Sequence, residues 1–279
     1  MTVRDAFTRT VNALRSRYGE REAHNLARLL VEDGLKRSLF QPERLLTQPD
    51  QERFEVLLAP LRQGRPIQYV LGEAHFYGLV LEVNEAVLIP RPETEELVHW
   101  ILAEEKQNTL TVLDAGTGSG CIPLALKKKR PAWAIWAADI HEDALLVARR
   151  NAERLDLDVH FLRLDLLDDS SWDELPGLDI LVSNPPYIPP SERHLMPPQV
   201  LQFEPESALF TPEEDPLQFY RILAGLGQQK LESGGRIYLE CNEFRLQAVA
   251  ALLSKHGYRD LRVQADMQGK ERMLRGRKP

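Results

Sequence analysis

From residue 110 onward, short apolar runs and helix-like segments take turns. TLTVLDAG, AIWAADI, VHFLRLD, LDILVSNPP and RIYLECNE have the length and residue types of buried strands. Between or after them, CIPLALKKK, HEDALLVARRNAERL and EFRLQAVAALLSKHG carry apolar residues at helical spacing. Parallel strands cannot be joined by tight turns, so strands that alternate with helices imply a mostly parallel, doubly wound α/β sheet. RDLRVQAD and ERMLRGRK read as a closing hairpin. In such sheets ligands lie beyond the carboxyl ends of the strands, near the switch in strand order. The unusual residues of this chain fall at those ends.

The first 70 residues have a different pattern. AFTRTVNALRSRY places Ala6, Val11, Leu14 and Tyr18 on one helical face, and EAHNLARLLVEDGL does the same with Ala23, Leu26, Leu29, Leu30 and Leu35, Gly34 serving as a stop. PERLLTQ and QERFEVLLAPLRQG predict further short helices. HFYGLVLEVNEAVLIP then alternates, which predicts a two-stranded hairpin with Asn84 in its middle, and RPETEELVHWILAE predicts a helix with a proline and carboxylates at its start. The expected organisation is a helical domain over residues 1–73, a β-hairpin linker over 74–90 and an α/β domain over 91–279.

Composition narrows the function. The 279 residues are 43% hydrophobic and 28% charged, an ordinary water-soluble balance. No apolar stretch approaches the ~20 residues of a membrane span, and MTVRDAFTRTVNAL lacks the apolar core and cleavage site of a signal peptide. Cys121 and Cys241 are the two cysteines, too few and too far apart for a disulfide framework, so a cytoplasmic location is expected. No Cys/His cluster has the spacing of a metal site. The net charge is −7, with residues 1–80 near +2 and the rest near −9, which argues against direct nucleic-acid binding.

VLDAGTGSG sets Gly116, Gly118 and Gly120 directly after the first strand of the α/β region. Glycines permit a sharp turn and let a ligand approach the backbone, and the next helix points its N-terminus at that ligand. The dinucleotide fingerprint needs glycine at 121, where Cys121 stands, and no Gly-Lys-Ser/Thr of a P-loop follows. What remains, G-x-G-x-G, resembles the nucleoside-binding loop of class I methyltransferases. Asp114 ends the first strand, where a carboxylate either holds loop amides or attracts a cationic methionine moiety. Asp139, ending AADI, is placed to accept two ribose hydroxyls; the alternative is an acid at a helix start. Asp165, ending LRLD, is a candidate for an adenine amino group or, equally, a cap.

The run VSNPPYI at residues 182–188 ends a strand in an amide, two prolines and a tyrosine. Together with IPRPETEELV, HFYG and FEP, the glycine loop and Asn-Pro-Pro-Tyr resemble the HemK/PrmC family, the N5-glutamine methyltransferases of peptide chain release factors. The resemblance covers essentially the whole chain. It implies a class I (Rossmann-like) methyltransferase fold with a mostly parallel seven-stranded sheet, joined by the hairpin to a small all-helical domain that recognises the substrate. It implies S-adenosylmethionine as donor and the glutamine of a GGQ tripeptide as acceptor. Gly116, Thr117, Gly118, Ser119 and Gly120 then line the donor, Asp139 binds its ribose, Asp165 and Leu166 lie by its adenine, Leu166 standing where relatives often carry an aromatic ring, and Asn184 touches donor as well as acceptor. Asn184, Pro185, Pro186 and Tyr187 hold the glutamine, with Asn184, Pro185 and Tyr187 the catalytic candidates. The Asn184 side-chain oxygen and the Pro185 carbonyl are two acceptors for one NH2 group, and the Tyr187 ring offers it a face.

Other positions carry weaker signals. Phe76 borders the acceptor pocket or packs between domains. Arg91, Glu93 and Glu95 lie near the expected acceptor mouth or form a solvated helix start. Phe203, Glu204 and Pro205 follow a long segment that closes over a peptide or lies as a surface loop. His194 and the lysines at 127–129 read as ordinary surface. Two other acceptors fit the same site chemistry: a glutamine in a ribosomal protein, and adenine N6 in DNA, which would need a basic reading module the N-terminal region lacks. A non-enzymatic adaptor with a degenerate nucleotide fold is disfavoured by the intact motifs. A monomer with no membrane association is expected.

Overall fold

The computed structural model describes residues 1–279, which divide into two compact units: Met1–Glu73 with Pro197–Phe203, and Ala74–Met196 with Glu204–Pro279.

The first unit is helical. α1 (Val3–Tyr18) and α2 (Glu20–Leu29), the latter prolonged by a wider π turn over Leu30–Gly34, are followed by α3 (Gln48–Arg62) and α4 (Ile67–Leu71). Thr2 and Thr47 close capping boxes with Asp5 and Asp50 at the starts of α1 and α3. The apolar faces meet in a core of Leu14, Leu30, Phe54, Leu58 and Leu61. PERLLTQ is not the helix its sequence predicts. The carbonyls of Pro42 and Arg44 accept from the amides of Arg4 and Val3, so this extended segment satisfies donors that the first turn of α1 leaves open.

The second unit opens with β1 (Glu73–Phe76) and β2 (Leu79–Glu82). Their turn is Tyr77–Gly78, not Asn84: both residues have positive φ (48° and 79°), the two-residue geometry that matches strand twist. Asn84 instead holds a following turn through the Ala86 amide. α5 (Pro92–Glu104) leads into β3 (Thr111–Ala115), α6 (Cys121–Lys129), β4 (Ala134–Asp139), α7 (Glu142–Leu155), β5 (His160–Arg163) and β6 (Leu178–Ser183). Then come α8 (Pro198–Phe203), which groups with the helical unit, α9 (Gln218–Lys230), β7 (Leu231–Glu240), α10 (Leu246–Lys255), β8 (Arg259–Ala265) and β9 (Glu271–Arg277). α9 is an element the sequence reading passed over, its pattern interrupted by Gly225 and Gly227.

The seven strands lie in the order β5-β4-β3-β6-β7-β9-β8, all running the same way except β9, which is antiparallel to its two neighbours β7 and β8. The expected mostly parallel seven-stranded sheet is thus the one observed. Side chains alternate cleanly across it. Val112, Ile180, Val182 and Tyr238 pack with α5 and α6 residues on one face, and Leu113, Leu181, Ile237 and Leu239 pack with α9 and α10 on the other. After β3 the chain runs outward to β4 and β5, then crosses back to β6 on the opposite side. The β3 and β6 ends therefore flank the switch point, and the glycine loop and Asn-Pro-Pro-Tyr emerge side by side.

Candidate active site

A cavity of about 240 Å³ opens at that switch point. The amides of Gly116 and Thr117 both donate to the Ala138 carbonyl, which folds the glycine loop over the end of β4. Gly116 and Gly118 have φ of 79° and 53°, and a Cβ on either would project into open space. Both residues line the cavity, so that space is room for a ligand against bare backbone. Gly120 serves another purpose. Its Cβ would meet Ala148 and Leu124 at 3.2 Å, so this glycine lets α6 and α7 approach, and it does not line the cavity. Ser119 is likewise buried behind the loop, where its carbonyl accepts from Asn151.

The carboxylates divide by partner. Asp139 accepts from the Gly118 amide (2.9 Å) and the His141 amide (3.0 Å), one on each oxygen, leaving one lone pair per oxygen toward the cavity. Asp165 accepts from the Leu167 amide at 2.9 Å, so the cap reading holds for one oxygen while the residue still faces the cavity. Asp114 is fully buried behind the wall, and no donor reaches either oxygen. The option that it holds loop amides is therefore excluded. Burial pushes its carboxyl up to about 7; the facing Thr117 hydroxyl, itself without a hydrogen-bond partner, pulls the other way, and the Asp139 charge adds to the rise. Asp114 does not line the cavity, so its charge reaches a ligand there only through the wall.

Apolar side chains complete the wall. Ile140, Leu164, Leu166, Leu88 and Phe219 face it. Cys121 also lines it, with burial pushing its thiol up to about 12, which leaves it without nucleophilic character.

Beyond β6, Asn184, Pro185 and Pro186 form the adjoining wall. The Asn184 amide nitrogen donates to Thr94 Oγ1 at 3.1 Å. Arg91 lines the same cavity, with its guanidinium paired to Glu204 at 2.7 Å; the other Glu204 oxygen accepts from the Ile89 amide. The arginine and the FEP glutamate thus brace the segment leading into α5.

Four further sequence candidates stand outside the cavity. Phe76 is 1% exposed inside the core beneath α5, away from the cavity, because its place in β1 turns it inward. Tyr187 packs half-buried against the second core, its hydroxyl raised by burial, and Glu93 lies close to it without lining the cavity. Glu95 accepts from the Tyr77 amide and so anchors the hairpin turn. Thr94 and Glu240 were missed. Thr94 sits between two glutamates already singled out, and Glu240 is a charge on an inward strand position, which is a legible signal.

A doubly wound sheet with a glycine loop, an acid at the end of the next strand and an amide-bearing Pro-Pro turn at the switch point defines an S-adenosylmethionine-dependent class I methyltransferase. The profile of the methyltransferase small domain matches residues 94–198, and that of the PrmC N-terminal domain matches residues 5–72. The release factor glutamine methyltransferase of Flavobacterium psychrophilum is 36% identical over 283 residues, 99% of each chain, and that of Bacteroides thetaiotaomicron is 44% identical over 82% of each. A solved methyltransferase from Pyrococcus furiosus shares the fold, with a TM-score of 0.54 at 20% identity over 72% of this chain and 89% of that one. This chain belongs to the release factor glutamine methyltransferase family.

Proposed function

We propose that the enzyme transfers a methyl group from S-adenosylmethionine to N5 of the glutamine in the GGQ motif of peptide chain release factors, in the cytoplasm and as a monomer. The observation that carries this reading is the shared cavity: the glycine loop, Asp139 and Asp165 on one wall, and Asn184 with Pro185 on the other. Relatives at 36% and 44% identity are release factor glutamine methyltransferases, and no helix is long and apolar enough to cross a membrane.

The residues present fit the donor. Gly116 and Gly118 give room at the backbone, and Asp139 on the cavity wall keeps acceptor capacity on each oxygen for two hydroxyls. Asp165, Ile140 and Leu166 offer an acceptor and apolar faces for a purine. Asp114, behind the wall and without a donor, would favour a positive charge in the cavity only through space. When bound, S-adenosylmethionine supplies an electrophilic methyl on a cationic sulfur.

The chain's own task is to hold a planar, weakly nucleophilic NH2 in line. Asn184 Oδ1 accepts one N–H of the acceptor amide, and the Pro185 carbonyl, fixed by its ring, accepts the other. Two oxygens facing the nitrogen favour the positive charge that develops there. Transfer would form the N–C bond as the methyl–sulfur bond breaks with its electron pair left on a neutral sulfur; the methylated nitrogen would then be acidic and lose its proton to water without a dedicated base. Pro186 and Arg91 border this acceptor pocket; Tyr187, with Glu93 near it, stands outside the cavity lining and supports the pocket from the second core; Phe76 supports the hairpin from the first core. The helical unit, with Phe40, Leu45 and Val56 exposed on it, reads the acceptor protein.

Incubation with purified release factor and isotopically labelled donor tests the reading. One methyl on the GGQ glutamine, located by tandem mass spectrometry, is the expected product; label on a ribosomal protein or on DNA instead would replace it.

A further inference from the structure

The acceptor amide can be gripped only if Asn184 presents its oxygen rather than its nitrogen. The two ends of a carboxamide have nearly the same shape, so something must choose. The structure shows what is in a position to do so. β6 and β7 are paired with Ser183 opposite Leu239, and one step further this register sets Asn184 beside Glu240. Glu240 is 2% exposed. Its Oε2 accepts from the Thr94 hydroxyl at 2.6 Å, and Thr94 Oγ1 accepts from the Asn184 amide nitrogen at 3.1 Å. Thr94 itself is 2% exposed, in the first turn of α5.

A hydroxyl has one proton to give. Committed to a carboxylate, it can only accept from its other neighbour. Asn184 must therefore turn its nitrogen inward and its oxygen outward. We propose that Glu240 and Thr94 are positioning residues: the ionised Glu240 carboxylate sets the polarity of a Glu240–Thr94–Asn184 hydrogen-bond chain and so fixes Asn184 Oδ1 as the acceptor for the substrate NH2. This rests on the functional reading above.

Two features point the same way. Glu240 occupies an inward position on a central strand whose neighbour on the same face is Tyr238, where an apolar residue would serve folding better. Protonation of Glu240 would also undo the arrangement. A neutral carboxyl can donate to Thr94, which then donates to Asn184 and permits the flipped amide. Burial pushes the Glu240 carboxyl up to about 7; the Thr94 hydroxyl opposes this, the Glu93 charge adds to it, and Arg272 and Arg91 oppose it. Tyr187, Tyr220, Cys121 and Cys241 also face this carboxyl and are neutral in the working range, each held up by burial. Polarity, and with it turnover, is therefore lost as pH falls through about 7.

Steady-state kinetics on the full-length enzyme, with release factor as acceptor, test this together with side-chain amide NMR. Thr94→Val and Glu240→Gln are expected to lower kcat about tenfold or more while donor affinity and acceptor KM stay within about twofold. Thr94→Ser is expected to restore turnover. The acid limb near pH 7 should vanish in Glu240→Gln. In the wild type, the Asn184 NH2 resonances, identified by their loss in Asn184→Ala, should shift with pH around 7, and in Glu240→Gln they should not. Unchanged kcat in Thr94→Val, an acid limb that persists in Glu240→Gln, or parallel loss of donor affinity would overturn the proposal. The NMR titration needs no turnover, so a wild type inactive on release factors would sink the functional reading and leave the hydrogen-bond chain separately tested.

Discussion

Asp114 shows how much a single side chain at this site costs the fold. Its carboxyl is raised from 3.8 to about 7, so the folded chain holds the proton more tightly than the unfolded one. By linkage, that hold weakens stability as pH rises from about 4 to about 7, and the cost is constant above that. Asp114→Asn should therefore melt higher than the wild type at pH 8, with the difference shrinking toward pH 5 in paired thermal scans. The same variant should bind S-adenosylmethionine more weakly by calorimetry, since it removes the charge that answers the donor's. Asn184→Ala is the complementary case. It leaves the glycine loop and Asp139 in place, so donor affinity should survive while kcat falls roughly 100-fold or more; a kcat near the wild-type value would remove Asn184 from the chemistry.

At the level of elements, the three glycines of one loop do two different jobs. Gly116 and Gly118 clear the cavity, and Gly120 clears the α6–α7 contact. Gly120→Ala combines a φ of 80° with two 3.2 Å approaches and should cost about 2 kcal/mol or more in urea unfolding. Asn151, fully buried on α7, is the second support of this loop. It accepts from the Glu82 amide and donates to the Glu82 and Ser119 carbonyls, tying β2 to the glycine loop. Asn151→Ala leaves those backbone groups unpaired, and a loss of roughly 2–4 kcal/mol with weakened donor binding is the expected result. PERLLTQ and the hairpin turn depart from their local patterns for separate reasons. PERLLTQ has helical composition, yet its carbonyls are drawn into capping α1. The hairpin turns at Tyr77–Gly78 because a tyrosine there accepts positive φ, a choice its side-chain type does not advertise.

At the scale of the whole molecule, the cavity and the exposed apolar side chains fall in different units. The cavity belongs to the α/β unit, and the helical unit exposes Phe40, 96% accessible, with Leu45 and Val56. If that unit reads the acceptor protein, Phe40→Ser should raise KM for intact release factor several-fold and leave kcat and the KM for a short GGQ peptide unchanged; equal effects on both acceptors would remove the unit from recognition. The alternation of strands and helices, the glycine loop and Asn-Pro-Pro-Tyr were all legible in the chain itself, because each is a local pattern whose meaning lies within a few consecutive residues. Gly116, Gly118, Asp139, Asp165, Asn184 and Pro185 duly converge on one cavity. Phe76 carried no mark of its burial, and nothing local sets Glu240 apart as a partner of Asn184. Thr94 lies 90 residues from Asn184 and 146 from Glu240. Only strand register and the seating of α5 on the sheet bring these three together, since hydrogen bonds act over about 3 Å of space and take no account of distance along the chain.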